Sequence, residues 1–430
     1  MSEKSLSSVI TRRTFLKIAG AAAGALTVPS QVLALGAEAS PLNFSDWPAV
    51  RLGMLMPGGG FSPQLIENYL KGFDYCLKTS GCKEAGVSIE LVKAHSDGPV
   101  SVSALKKLLH KDKVTLVTGI MNNAAASALN SFARDEKFVL VTGSLGESMA
   151  RKTDMFPGTF HCSMNFSQAN WAMGRWAADN MGRSCIVATS LYDAGYDMLE
   201  AFRMGYQAAG GTIQEIFVSD AATGTPAFDK FFSSIDATRP DFIFALNSGS
   251  KGAEFMKAYA SSGLAGRIPL ACSSHLSGGD SLAAMGPLAS GIKTCVPWRS
   301  DLSAPGSESF AANYAKVAGL SLDSFGLLGY ETAGMILSAL SLTQGKTENI
   351  TALTRAFADA AFNSPRGLLN MNPETNTSSG PLFIHEFRIE GGRSFTKAIA
   401  ECRTPFEYDR RLQSLWAAER SGWYNAYQYV

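Results

Sequence analysis

The chain has 430 residues, of which 46% are hydrophobic and 17% charged, and a formal net charge of +1. That length exceeds one ordinary core and predicts two lobes, and the composition excludes disordered and fibrous classes. The near-neutral charge excludes the broad basic surface that neutralises phosphates in nucleic-acid-binding proteins.

At the start, Thr11-Arg12-Arg13-Thr14-Phe15-Leu16-Lys17 resembles a twin-arginine export signal and precedes an apolar run from Ile18 to Val28. Ala37-Glu38-Ala39 offers the small residues of a cleavage site, with Val32-Leu33-Ala34 as the alternative cut. Residues 1–39 are read as a leader handled by the twin-arginine translocase, giving a soluble periplasmic protein from about Ser40. The run is shorter than the roughly 20 residues of a membrane span and contains Pro29 close behind it. No later run is expected to have membrane length, so the protein is not read as integral to a membrane.

The mature chain alternates strands and helices. Val50 to Met56 is the first strand, followed by the loop Pro57-Gly58-Gly59-Gly60-Phe61. Ser62 and Pro63 have the chemistry of a helix start, and Ile66, Tyr69, Leu70, Phe73 and Leu77 form a helical stripe. Val87 to Val92, Val114 to Val117 and Phe138 to Val141 are further strands, the last two with the continuous apolar character of buried parallel ones. After His161 the alternation repeats: a helix from Trp171 to Met181, then strands at Cys185 to Ala188, Ile213 to Val218, Phe242 to Ala245 and Ile268 to Ala271, with helices between. The fold class is α/β, with two doubly wound, Rossmann-like lobes. Lobe one takes residues 49–160 plus 297–345 and lobe two 161–296 plus 346–392. Residues 393–430, rich in aromatics and arginine, form an extension beyond them.

In open α/β sheets ligands sit beyond the carboxyl ends of the strands. This rule selects Gly60, Phe61, Met121, Asn122, Asn123, Thr142, Gly143 and Ser144 from lobe one. From lobe two it selects Tyr192, Tyr196, Asn247, Ser274 and His275, with Asp193 and Ser248 beside them. The glycines at 58–60 fit neither a dinucleotide fingerprint nor a P-loop. Seven cysteines occur without any Cys-x-x-Cys, so no metal, haem or redox cofactor is expected. Cys76 and Cys82 are close enough in sequence for a small disulfide loop, with buried free thiols as the alternative. Asn123 fits a helix cap as well as a ligand contact, and His275 an ordinary core or surface histidine as well as a cleft hydrogen-bonder.

Several segments carry a family resemblance: Lys111-Asp112-Lys113-Val114, Tyr192-Asp193-Ala194-Gly195-Tyr196, Arg239-Pro240-Asp241-Phe242, Gly329-Tyr330-Glu331-Thr332 opening a helix, and Ser364-Pro365-Arg366-Gly367. With the order of elements from Val50 to Gly392, the chain resembles the type I periplasmic binding proteins, specifically the branched-chain amino-acid-binding (Leu/Ile/Val-binding) family. The resemblance implies two lobes joined by a three-crossing hinge, a small-molecule ligand between them and an inner-membrane ABC permease as partner. It implies that lobe-one groups near Asn123, Thr142 and Ser144 take a ligand carboxylate and that Tyr196 flanks the ligand. Where the family carries an ammonium-binding glutamate, this chain reads Cys272-Ser273-Ser274-His275. Either Asp193 or another carboxylate replaces it, or the ligand is not an α-amino acid. The second reading is favoured, with Phe61, Met121, Tyr196 and Trp298 making an apolar cleft for an aromatic or aliphatic carboxylate or another apolar molecule. A ligand sensor that passes its closed state to a membrane receptor shares every cleft residue. An enzyme is not expected, because no nucleophile, base and orienting group occur in a recognisable motif.

Overall fold

A parallel sheet needs a crossover helix between its strands, and both lobes follow from that requirement. The computed structural model describes residues 39–58, 62–98, 100–121, 123–148, 155–195, 197–219, 228–276, 285–299, 305–391 and 393–402. The leader, the loop residues Gly59, Gly60 and Phe61, Asn122, Tyr196 and the tail from 403 onward lie outside the described residues. The described part belongs to the unit Glu38–Val430.

The first sheet begins with β1 (Val50–Met56), β2 (Ile89–His95), β3 (Leu116–Ile120), β4 (Val139–Ser144) and β5 (Thr159–Ser163), all parallel, in the spatial order 2-1-3-4-5. Every residue of β3, β4 and β5 is buried, as sandwiching between helix layers requires. The second sheet repeats the order with β6 (Ser184–Ser190), β7 (Thr212–Ser219), β8 (Phe242–Leu246), β9 (Leu270–Cys272) and β10 (Lys293–Val296) running 7-6-8-9-10.

Each sheet is finished by remote chain. The strands β11 (Ala361–Ser364), β12 (Gly367–Asn372) and β13 (Thr377–Ser379) extend the first sheet beyond β5, where Thr377 is in register with His161. The strands β14 (Leu382–Glu390) and β15 (Arg393–Cys402) extend the second beyond β10. The chain therefore passes between the sheets three times: after Ser163, after Val296 and at 380–381. The expected bounds are corrected accordingly. Residues 361–379 complete lobe one rather than lobe two, because the main chain of His161 donates to Asn376 O at 2.8 Å and continues that sheet. Residues 393–402 are an edge strand of lobe two rather than part of an extension, because β14 offers them a free ladder.

The helix α1 (Pro63–Thr79) starts at Ser62 and Pro63 as expected, and packs against α2 (Ser324–Leu342). The latter begins earlier than the sequence suggests: Asp323 caps it, accepting from Gly326 N at 2.7 Å and from Asn68 Nδ2 of α1 at 2.6 Å. Gly329-Tyr330-Glu331-Thr332 thus lies within the helix rather than opening it. By length and composition α2 could cross a membrane, contrary to the expectation of no such run, but 83% of its apolar window is buried as the core helix of lobe one. The backbones of the pair meet at glycines. A Cβ on Gly72 would stand 1.7 Å from Gly326 O, and one on Gly329 1.9 Å from Tyr69 O. Lobe two repeats the device in α3 (Phe166–Asn180) and α4 (Asp197–Ala208), where a Cβ on Gly205 would stand 2.2 Å from Trp171 O.

No side chain can relax a clash with main-chain carbonyls, so Gly329→Ala must push two helices apart and should destabilise by about 2–4 kcal/mol. Gly306, itself exposed in the first turn of the helix Pro305–Ala318 with nothing near its added Cβ, is the control: Gly306→Ala should leave stability unchanged or raise it by up to about 1 kcal/mol. Urea unfolding of the two variants measures this, and equal midpoints would contradict the packing argument.

Candidate functional site

The strand order reverses between β1 and β3 in one lobe and between β6 and β8 in the other. The carboxyl ends of these strands are where an α/β sheet opens a crevice. At the lobe-two reversal the first turn after β6 is pinned by Asp193. Ser190 Oγ donates to Asp193 Oδ2 at 2.5 Å, and the main-chain N–H of Ser248, after β8, donates to the same oxygen at 3.0 Å. Asn247 Nδ2 donates to Ala188 O at 3.2 Å across the same two strands. At the lobe-one reversal the main chain of Met121 donates to Gly143 O at 3.0 Å, tying the end of β3 to β4.

Glu147 of lobe one and His275 of lobe two approach each other. Glu147 follows β4 and is 3% exposed, and its Oε1 lies 3.8 Å from Nε2 of His275, which follows β9. Phe166, at the start of α3, sets its ring edge-on to the imidazole at 5.4 Å between centroids. Burial lowers the pKa of His275, and the nearby Asp193 carboxylate opposes that shift. The imidazole is thereby favoured in its neutral form, with acids from both lobes near it.

The structure separates the expected contacts. Tyr192 is half-buried and Ser274 and His275 lie in the loop after β9, where Ser274 Oγ donates to Cys295 O at 3.1 Å. Ser144 ends β4 in the same loop system as Glu147. Thr142, an expected donor to the ligand, lies within β4 with its hydroxyl toward a histidine. It is fully buried, with its hydroxyl 2.8 Å from Nδ1 of His161. Asn247 is likewise fully buried and serves the β6–β8 junction. Gly143 lies against Tyr69, whose ring would be 2.7 Å from an added Cβ. Met121 is 1% exposed and packs in the lobe-one core, and Trp298 is 3% exposed. Asn123 starts the short helix Asn123–Ala128.

Glu147 was missed by sequence reasoning. Its signal is positional: it follows Gly146, whose φ of +78° turns the chain after β4. Among the described residues no group of histidines, cysteines or acids could hold a metal ion. All seven cysteines are free, and Cys82 Sγ donates to Leu77 O at 3.3 Å. Burial pushes Cys162, Cys185 and Cys272 up to about 12, which leaves them as unreactive thiols at neutral pH.

The model of a family described as periplasmic binding protein matches residues 49–393. A Brucella melitensis protein named Leu/Ile/Val-binding protein homolog 6 is 25% identical over 378 residues, covering 85% of this chain and 94% of its own. An ABC transporter substrate-binding protein from Sphaerobacter thermophilus superimposes with a TM-score of 0.73 at 22% identity, covering 83% of this chain and 98% of its own. A solute-binding protein of an ABC transporter from Rhodopseudomonas palustris, in complex with 3,4-dihydroxybenzoic acid, superimposes with a TM-score of 0.67 at 24% identity, covering 84% and 99%.

The buried histidines make stability depend on pH. Burial pushes His161 down to about 4, whereas in the unfolded chain it titrates near 6.5. The unfolded state therefore binds a proton first as the pH falls. Stability is fully present above about 6.5 and should be lost between there and about 4, by roughly 3 kcal/mol for this group. His275 acts in the same direction. Urea midpoints from pH 7 to 5 should fall, and His161→Asn, which removes this titration, should lose less over the same interval. An equal slope in the variant would show that His161 does not carry the effect.

Proposed function

The chain belongs to the periplasmic binding protein family, and on that premise we propose that its ligand is a small organic carboxylate held in the cleft between the two sheets. It is a substrate-binding protein of the ABC-transporter kind rather than an enzyme, and its family works in the periplasm. One observation carries the reading of the site: Glu147 of lobe one and His275 of lobe two approach to 3.8 Å, so loops ending both sheets converge on one place. A ligand that touches both loops binds the closed arrangement better than the open one, which is what closure requires.

The carboxylate is what the relatives' ligands have in common. The Brucella relatives carry branched-chain amino acids in their name, and the Rhodopseudomonas protein holds a dihydroxybenzoic acid. Both classes join a carboxylate to an apolar body. Within that class we rank an aromatic or aliphatic acid ahead of an α-amino acid. Asp193, the candidate replacement for the missing ammonium partner, is 1% exposed, and its Oδ2 already accepts from Ser190 and Ser248. Its Oδ1 is buried without a hydrogen-bond partner, so an ammonium there would not break those bonds, and the ranking rests on Cys272-Ser273-Ser274-His275 standing where the family carries its glutamate. Gly60, Phe61, Asn122, Asn123, Ser144, Tyr192, Tyr196, Ser274 and His275 remain the proposed contacts. Export by the twin-arginine route and delivery to an inner-membrane ABC permease belong to the same proposal.

Thermal unfolding with benzoate, 4-hydroxybenzoate, leucine and, as a control, benzyl alcohol tests the class. An acid present at a hundredfold its Kd should add about 2.7 kcal/mol of stability, and the alcohol none. Stabilisation by leucine alone would move the assignment to amino acids, and stabilisation by the alcohol would remove the carboxylate from it. His275→Ala and Tyr196→Ala should each weaken the binding of the acid found without unfolding the protein.

A further inference from the structure

A buried ion pair stands apart from the proposed ligand contacts. Arg366, on the turn between β11 and β12, and Glu331, in α2, have side chains 0% and 1% exposed. Arg366 Nε donates to Glu331 Oε1 at 2.8 Å and Nη2 donates to Oε2 at 3.0 Å. The same fork reaches the first crossing: Nη2 donates to Ser163 O at 2.8 Å and Nη1 to Asn165 Oδ1 at 3.3 Å. Asn165, held at a φ of +57°, passes the connection to the third crossing by donating from Nδ2 to Ser378 O at 2.9 Å. The main chain of Ser163 donates to Ser378 Oγ at 2.9 Å. One guanidinium thus holds the lobe-one ends of two of the three crossings.

The network also leads to the cleft. Immediately after Asn165, the main-chain N–H groups of Phe166 and Ser167 donate to Leu145 O and Gly146 O at 3.1 and 2.7 Å. These carbonyls belong to the loop that carries Glu147, and Phe166 carries the ring that meets His275. We propose that Arg366 is a positioning residue for lobe closure: with Glu331 it fixes the roots of the first and third crossings, so that Phe166 and Glu147 stand where His275 meets them. This rests on the reading of the chain as a receptor that closes on its ligand. A buried ion pair is no better for stability than a well-packed apolar pair, so its planar fork, shared among four acceptors, is the reason for arginine here. Lysine keeps the charge but cannot hold Glu331, Ser163 and Asn165 at once.

The test uses the full mature chain with Arg366→Lys and Asn165→Gly. Glycine keeps the positive φ of position 165 and removes only the side-chain link, so this variant stays informative if Arg366→Lys fails to fold. Hydrogen exchange should quicken by about tenfold or more in residues 162–168 and 376–382, with the rest of both sheets unchanged. The affinity for whichever acid stabilises the wild type should fall by roughly tenfold, because fewer molecules hold the binding-competent arrangement. Wild-type protection at the crossings, or faster exchange spread evenly over both lobes with a lowered Tm and unchanged affinity, would make the pair structural only and overturn the proposal. If no acid stabilises the wild type, the ligand class fails, while the exchange pattern still decides the role of Arg366.

Discussion

The strands β1 to β5 run parallel, as do β6 to β10, and this one constraint places everything else. Parallel strands send their carboxyl ends to a single edge, so polar side chains can gather there without breaking the apolar layers beneath. The buried acids Glu147 and Asp193 and the half-buried His275 all lie in loops that follow such ends. An antiparallel sheet would have scattered them over two edges.

The alternation of apolar runs and amphipathic helices made the two-lobed architecture legible from the residues alone. The β1 strand and the Ser62-Pro63 helix start were readable because hydrophobic period and cap chemistry are local. The destination of residues 361–379 was not, because nothing local in Thr377–Ser379 says that it pairs with β5 rather than with the other sheet. That choice is made by main-chain bonds between residues more than two hundred positions apart. The site divided the same way. Strand-end position proposes His275 and Tyr192 as contacts, but it does not say which way a hydroxyl turns, and that of Thr142 lies 2.8 Å from the buried His161. Glu147 escaped because its importance lies in a partner on the other lobe.

The energetics of the two lobes are unlike those of their junction. Within each lobe, helices touch at glycines whose replacement would drive a methyl into a carbonyl, and packing of that kind has no soft direction. Between lobes the contacts are of two kinds: the polar or edge-on ones of Glu147, His275 and Phe166, and one apolar cluster that continues from Val139 and Leu328 of lobe one through Met164 and Phe166 to Phe202 and Phe244 of lobe two. In the proposed receptor, stiff bodies of this kind would move as wholes, with the movement falling on the few residues of the crossings.

The Glu147–His275 approach bears on what a ligand must do. If the proposed receptor closes, a buried carboxylate beside a histidine that favours its neutral form gains little from the approach itself. The free energy of closing must then come from the molecule between the lobes, which supplies the contacts that the two loops lack with each other. A receptor whose lobes attracted one another strongly would close empty and admit nothing. On the proposed reading, lobes that gain little from the Glu147–His275 approach wait for a ligand that bridges both loops.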